Sequence, residues 1–258
     1  MGVFHFDESI HSAGGFILGA FVWFKADPAE EIRGALIEAG LRPGIDEFKS
    51  GARMDRNPGQ VRAREQLGNV VDAAAIGIVV APIEQRREFG LQALRGLAKI
   101  LATNGLPAKD QRAFFDAGLV PNAAAFARLA IQLQLDECDL QTEQSSIQVL
   151  GLQVADLVAH TCSMMLLAQM GIVTKQIKAG DNSGYDPDDD IDLAFMLWAG
   201  LRRNFFAAPP PDPETWTSQA DFSVDVASRG LHISERCSPQ LREAVLARFG
   251  KMYLGCIH

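Results

Sequence analysis

The sequence predicts an α/β protein in which a mixed sheet carries helices on its faces. Three observations predict it. Residues 75–81 (Ala-Ile-Gly-Ile-Val-Val-Ala) form a continuous apolar run stopped by Pro82, the pattern of a strand buried on both faces. Two β-prone runs joined by a short link open the chain. Stretches with helical spacing alternate with the strand-like runs, as layered α/β domains require.

Taken in order, Val3 to Phe6 reads as a strand ending at Asp7-Glu8-Ser9, and His11 to Gly15 as a turn. Gly15 to Phe24 is a second strand rich in Phe, Ile, Val and Trp, so the two form an antiparallel hairpin. Asp27-Pro28 opens a helix through Ala39, because proline suits a first turn and Glu30 and Glu31 suit its positive end. Glu47-Phe48-Lys49 is a short extended piece, and Gln60 to Ala74 is helical. Ile83 to Ala102 is a long amphipathic helix with apolar positions 91, 94, 97, 98 and 101. Ala127 to Leu135 alternates over its second half and reads as a strand ending at Asp136. Ser146 to Met170 is a long helix.

Beyond Gly171 the texture changes. Ala179 to Ile191 is polar and Asp-rich, Leu193 to Phe206 helical, and Ala207 to Pro213 Pro-rich. Ala220 to Ser234 holds one or two short strands, and Pro239 to Phe249 a last helix. The expected organisation is a core over residues 1–170 and a mostly helical C-terminal extension over 171–258 packed on it.

Composition narrows the function classes. With 48% apolar and 22% charged residues, the chain has the means to bury a core, which excludes a disordered chain. No apolar run reaches the roughly 20 residues that span a bilayer, and no basic leader precedes an apolar block. The expectation is a cytoplasmic protein with no membrane partner. Cys138, Cys162, Cys237 and Cys256 form no Cys-x-x-Cys pair, and only Cys256 has a near histidine, His258, so buried thiols are expected rather than zinc or disulfides. The net charge of −8 opposes non-specific adhesion to polyphosphate but leaves room for a local basic groove. The oligomeric state is left open.

Four segments carry chemistry-bearing residues. Asp7-Glu8-Ser9 closes the first strand, where open α/β folds place ligands; a plain hairpin turn is the alternative. His5, two residues earlier, shares the face of Asp7. In the helix from Ser146, offsets of three and four put Gln153, Asp156 and His160 on one face of an otherwise apolar element. An acid so placed needs a partner, whether a cation, a donor network or a metal, and a structural hydrogen-bonded role is the alternative. Glu47 and Lys49 point to one face of their extended piece. From Lys49 through Arg53, Arg56, Arg62 and Arg64 runs a local positive patch that suits phosphates, or a solvated face. Asp186 to Asp192 lacks the spacing, central glycine and terminal glutamate of a calcium loop, and its acids suit the start of the next helix. No phosphate-binding Gly-x-x-x-x-Gly-Lys loop, dinucleotide Gly-x-Gly-x-x-Gly motif or Gly-x-Ser-x-Gly elbow occurs.

The Asp-Glu-Ser opening and the later Gln-Val-Ala-Asp helix, in this order, resemble the DUF3800 family over Val3 to about Cys162. The matching residues are Asp7-Glu8-Ser9, Glu47-Phe48-Lys49, Ser146 and Gln153-Val154-Ala155-Asp156. The resemblance implies a ribonuclease-H-like fold, in which acids from the first strand, a middle element and a late helix converge on divalent cations, Mg²⁺ or Mn²⁺, for phosphodiester cleavage. It assigns Asp7, Glu47, Lys49 and Asp156 to catalysis, and Asp7, Glu8, Glu47 and Asp156 to the metal. Ser9, Lys49, Arg53, Ser146 and Gln153 are assigned to the substrate, and nucleic acid is the implied partner. The chain departs from the family at Ile10, where a glycine is usual, and at Pro82, which ends the apolar strand without an acid. Asp136 stands either as a substitute for that acid or as an exposed strand-end residue. A metal-dependent nuclease is therefore the leading expectation. A non-catalytic binding or regulatory module, or an enzyme of another class using the same carboxylates, are the alternatives.

Overall fold

The computed structural model describes residues 1–180, 184–209 and 222–255. In chain order the described elements are β1 (Gly2–His11), β2 (Phe16–Phe24), α1 (Ala29–Glu38), α2 (Pro58–Val71), β3 (Ala75–Pro82) and α3 (Phe89–Asn104). They continue with β4 (Gln111–Asp116), α4 (Ala123–Gln132), β5 (Asp139–Gln144), α5 (Gly151–Gln169), β6 (Gln176–Lys178) and β7 (Asp190–Asp192). The last are α6 (Leu193–Leu201), β8 (Ser223–Asp225), β9 (Leu231–Ile233), α7 (Pro239–Phe249) and β10 (Lys251–Tyr253).

Six strands form the central sheet in the order β5-β4-β1-β2-β3-β9. The expected hairpin is present, since β1 and β2 pair antiparallel with Val3 opposite Phe24, and β3 adds antiparallel to β2. On the far side of β1, β4 and then β5 add in parallel, and β9 adds in parallel to β3. The result is the expected mixed sheet, an antiparallel three-stranded unit extended by parallel strands and flanked by helices.

Alternation along the strands splits the core in two. Phe16, Leu18, Ala20 and Val22 of β2, with Ile76, Ile78 and Val80 of β3, meet α1, α2, α5 and α7. Ile17 and Phe21, with Phe4 and Phe6 of β1 and Val79 of β3, meet α3 and α4. β3, sealed on both faces, is the continuous apolar run of the sequence. α5 is long and apolar enough to cross a membrane by length and composition, but most of it is buried against β1 and β2.

Several elements differ from expectation. Ala127 to Leu135 is not a strand: it falls mainly in α4, whose buried Phe126 and Ala130 stand four apart. The alternation in its second half coincides with the helix end and the turn after it. The strands of this region are β4, which buries Gln111, Ala113 and Phe115, and β5, half-exposed along its length at the sheet edge and therefore without an apolar signature. Residues 47–50 join no strand. In the C-terminal third, β9 closes the β3 edge while α6 and α7 lie against α5. Asp192 caps α6, accepting from the Ala194 amide at 2.7 Å, as acids before a helix do. Cys138, Cys162 and Cys237 are buried free thiols. Residues 181–183, 210–213 of the Pro-rich stretch, Cys256 and His258 lie outside the described residues.

Candidate active site

Where β1 leaves β4, two acids become neighbours. The β1–β4 ladder runs from Gly2 opposite Gln111 to Phe6 opposite Phe115 and stops there. The next residues are Asp7 and Asp116. β1 itself continues to His11, paired only with β2 on that stretch, so the strand does not end at Asp7 as expected but is freed on one edge there. Asp7 is 7% exposed and accepts a hydrogen bond from the Glu8 amide at 2.7 Å. Burial, then the charges of Asp116, Glu8 and Asp156, push its pKa up to about 9. Asp116 and Glu8 are also raised, each chiefly by burial.

α5 brings the third acid. Apart from Gln169 at its end, the residues of α5 left open are Asp156, His160, Met164 and Ala168, one every four positions, so this unsealed stripe carries the polar pair. The close seat of α5 on β1 depends on Gly151, where a Cβ would run into the His5 ring. Asp156 is oriented by Ser50: one carboxylate oxygen accepts from the Ser50 amide at 2.7 Å and the other from its hydroxyl at 2.5 Å. The partner that this acid requires is therefore a donor network.

The segment 47–50 is held from two helices. Gln153, fully buried on α5, accepts from the Phe48 amide at 2.8 Å and donates to the Ser146 carbonyl at 2.8 Å. Gln60 on α2 accepts from the Lys49 amide at 2.9 Å and donates to the Glu47 carbonyl at 2.8 Å. Glu47 and Lys49 share a face as the spacing implies, with Nζ 2.7 Å from Oε1, and the Ser146 hydroxyl donates to the same oxygen. Both charges act on Asp116, and that of Lys49 lowers its proton affinity.

The structure thus brings Asp7, Glu8, Glu47, Lys49 and Asp156 to one end of the sheet, with Ser146 and Gln153 as the scaffold of residues 47–50. Ser9 lies beyond Asp7 on β1 and bonds His11 at 2.9 Å. Arg53 is exposed. The basic run is not one face: Arg62 turns to the Ala39 carbonyl at the end of α1 (3.1 Å), whereas Arg64 turns inward to the Ser50 carbonyl (2.8 Å). Asp136 is exposed in the connection after α4 and fills no place in the cluster; Asp116 does. Its signal was legible, because Ala-Phe-Phe-Asp at 113–116 repeats the apolar-run-then-acid pattern of Phe-His-Phe-Asp at 4–7.

No family model and no curated protein matches the chain. Among the solved structures similar to it are the following two. One is from the PCNA:RNase HII complex of Archaeoglobus fulgidus, 15% identical over 73% of this chain and 84% of that one, with a TM-score of 0.39. The other is ribonuclease H2 from Pyrococcus horikoshii OT3, 15% identical over 84% of this chain and 94% of that one, with a TM-score of 0.40.

Among the described residues, no three His, Cys, Asp or Glu side chains stand in a ready-made metal cage. The donor chemistry nonetheless fits a hard dication. Asp7, Asp116 and Asp156 offer only carboxylate oxygen, and the charges of Asp116 and Asp156 both bear on Asp7. Mg²⁺ keeps several waters and needs only one or two carboxylates.

Proposed function

We propose that the chain is a divalent-metal-dependent phosphodiesterase acting on nucleic acid, in the manner that its resemblance to DUF3800 implies. One observation carries the reading: Asp7 and Asp116 stand at the point where the parallel ladder stops, and the charges of Asp116 and of Asp156 on the facing helix both act on Asp7. Asp7, Asp116 and Asp156 would hold Mg²⁺ or Mn²⁺, with Glu8 and Glu47 at the margin. A bound dication supplies Lewis-acid and water-activating chemistry. The remaining roles belong to side chains. Ser50 holds the Asp156 carboxylate in orientation. Glu47 and the Ser146 hydroxyl aim Lys49, on which the charges of Asp156 and Asp7 act, as a cation for a phosphate oxygen.

A second reading, a non-catalytic binding module, is favoured by Asp156, both of whose oxygens already accept from Ser50. The test is cleavage of single- and double-stranded DNA and RNA with Mg²⁺ or Mn²⁺. Asp7→Asn, Asp116→Asn and Asp156→Asn should each cut the rate by roughly 10²–10³, the scale of losing a main electrostatic contributor, while melting as cooperatively as the parent. Wild-type protein that binds no Mn²⁺ and cleaves none of the four substrates establishes the second reading instead.

A further inference from the structure

Beyond the acids, the facing rows of β1 and α5 continue with bases. On β1 the α5-facing residues after Asp7 are Ser9 and His11, both half-buried. On α5 the next open position after Asp156 is His160. The charge of Asp156 acts on Asp7, and the imidazole rings of His11 and His160 lie 6.4 Å apart. Phe16 packs on the His11 ring at 5.4 Å. Ser9 bonds His11 Nε2, so one imidazole nitrogen is already used.

Arg64 adds the charge. Its Nη2 donates to the Ser50 carbonyl, but its Nε is buried with no partner. Its charge acts on His160, and that of Asp156 acts on it, so the guanidinium lies within electrostatic reach of both the acid and the imidazole. A buried cationic N–H without an acceptor is an uncommon and costly feature, and a phosphate oxygen is the acceptor that guanidinium donors take best. Even a neutral imidazole brings one N–H donor to the same anion.

We propose that Arg64 and His160, with His11 opposite, form a phosphate subsite one turn of α5 beyond Asp156, taking the phosphate adjacent to the one cleaved. The assignment of that neighbour rests on the phosphodiesterase reading; the binding of phosphate does not. Inorganic phosphate is titrated into metal-free protein while the ring-proton NMR signals of His11 and His160 are followed. Both signals should move saturably. Arg64→Gln and His160→Gln should each weaken binding by about tenfold or more, the loss of a charge-assisted contact, and Arg64→Lys should restore part of it. Ring signals unmoved in the wild type, or folded Arg64→Gln and His160→Gln proteins that bind phosphate like the parent, overturn the subsite. Intact phosphate binding in a protein that cleaves nothing removes only the nuclease reading. An active protein whose phosphate binding ignores Arg64 and His160 removes only the subsite.

Discussion

At the scale of single residues the decisive group is Asp7. Its folded-state pKa of about 9 lies above the ordinary 3.8, so folding favours the protonated acid. That contribution is complete below about pH 4 and is lost as pH rises through about 9. Thermal melts of the metal-free protein should therefore show stability falling over this window. Asp7→Asn, which keeps the shape and removes the charge, should flatten the fall and be the more stable protein at pH 8–9, by about 1–3 kcal/mol, the scale of an unmet buried polar group. Added Mg²⁺ should stabilise the wild type most at the alkaline end and leave the asparagine variant nearly unmoved. Identical pH profiles for the two proteins would show that Asp7 ionises freely. Ser50 matters at the same scale, because it turns a carboxylate that helical spacing alone leaves free into one with a set direction.

At the scale of elements, the approach of α5 to β1 sets the distance between Asp156 and Asp7. Gly151 permits that approach over the buried His5, which itself stacks on Phe114 at 5.5 Å. Gly151→Ala should cost about 1–3 kcal/mol through overpacking and reduce activity more than a surface change of equal cost. His5→Ala opens space beneath it, so the double variant should be less destabilised than the sum of the two single ones. Additive losses in urea titrations would place the constraint elsewhere. His5 and Asp156 were both legible on their faces from periodicity. The dependence of one on the glycine that separates its element from the other was not, because a pattern along one chain segment says nothing about how closely a second segment must sit.

At the scale of the whole molecule, the C-terminal third completes the layers that hold the site. β9 covers the open edge of β3, and α7 places Leu241, Val245 and Phe249 in the core shared with α5. A chain ending at residue 170 should expose that edge and the outer face of α5, and should aggregate or melt without a cooperative transition. A soluble 1–170 fragment with a sharp melt would instead make the last third a separable addition. The acidic balance of −8 also resolves spatially at this scale, since Arg64 and Lys49 turn toward the acids while Arg62 turns away to α1.

By itself the sequence determined the elements whose burial is written in a single period. These are the β1–β2 hairpin, the two-sided β3, the apolar α5 and α7, and from them the α/β class and two of the three central acids, Asp7 and Asp156. It determined too that residues 47–49 would present an acid and a base together, because alternation along an extended segment is local. Tertiary structure alone decided the rest. β4 and β5 carry weak patterns, one short and one exposed at an edge, so pairing rather than periodicity makes them strands. Asp116 enters the site only because the β1–β4 register stops at Phe6 and Phe115, leaving the next residue of each strand side by side. A register is a relation between distant segments set by the packing of both faces of the sheet, and no window of the chain contains it.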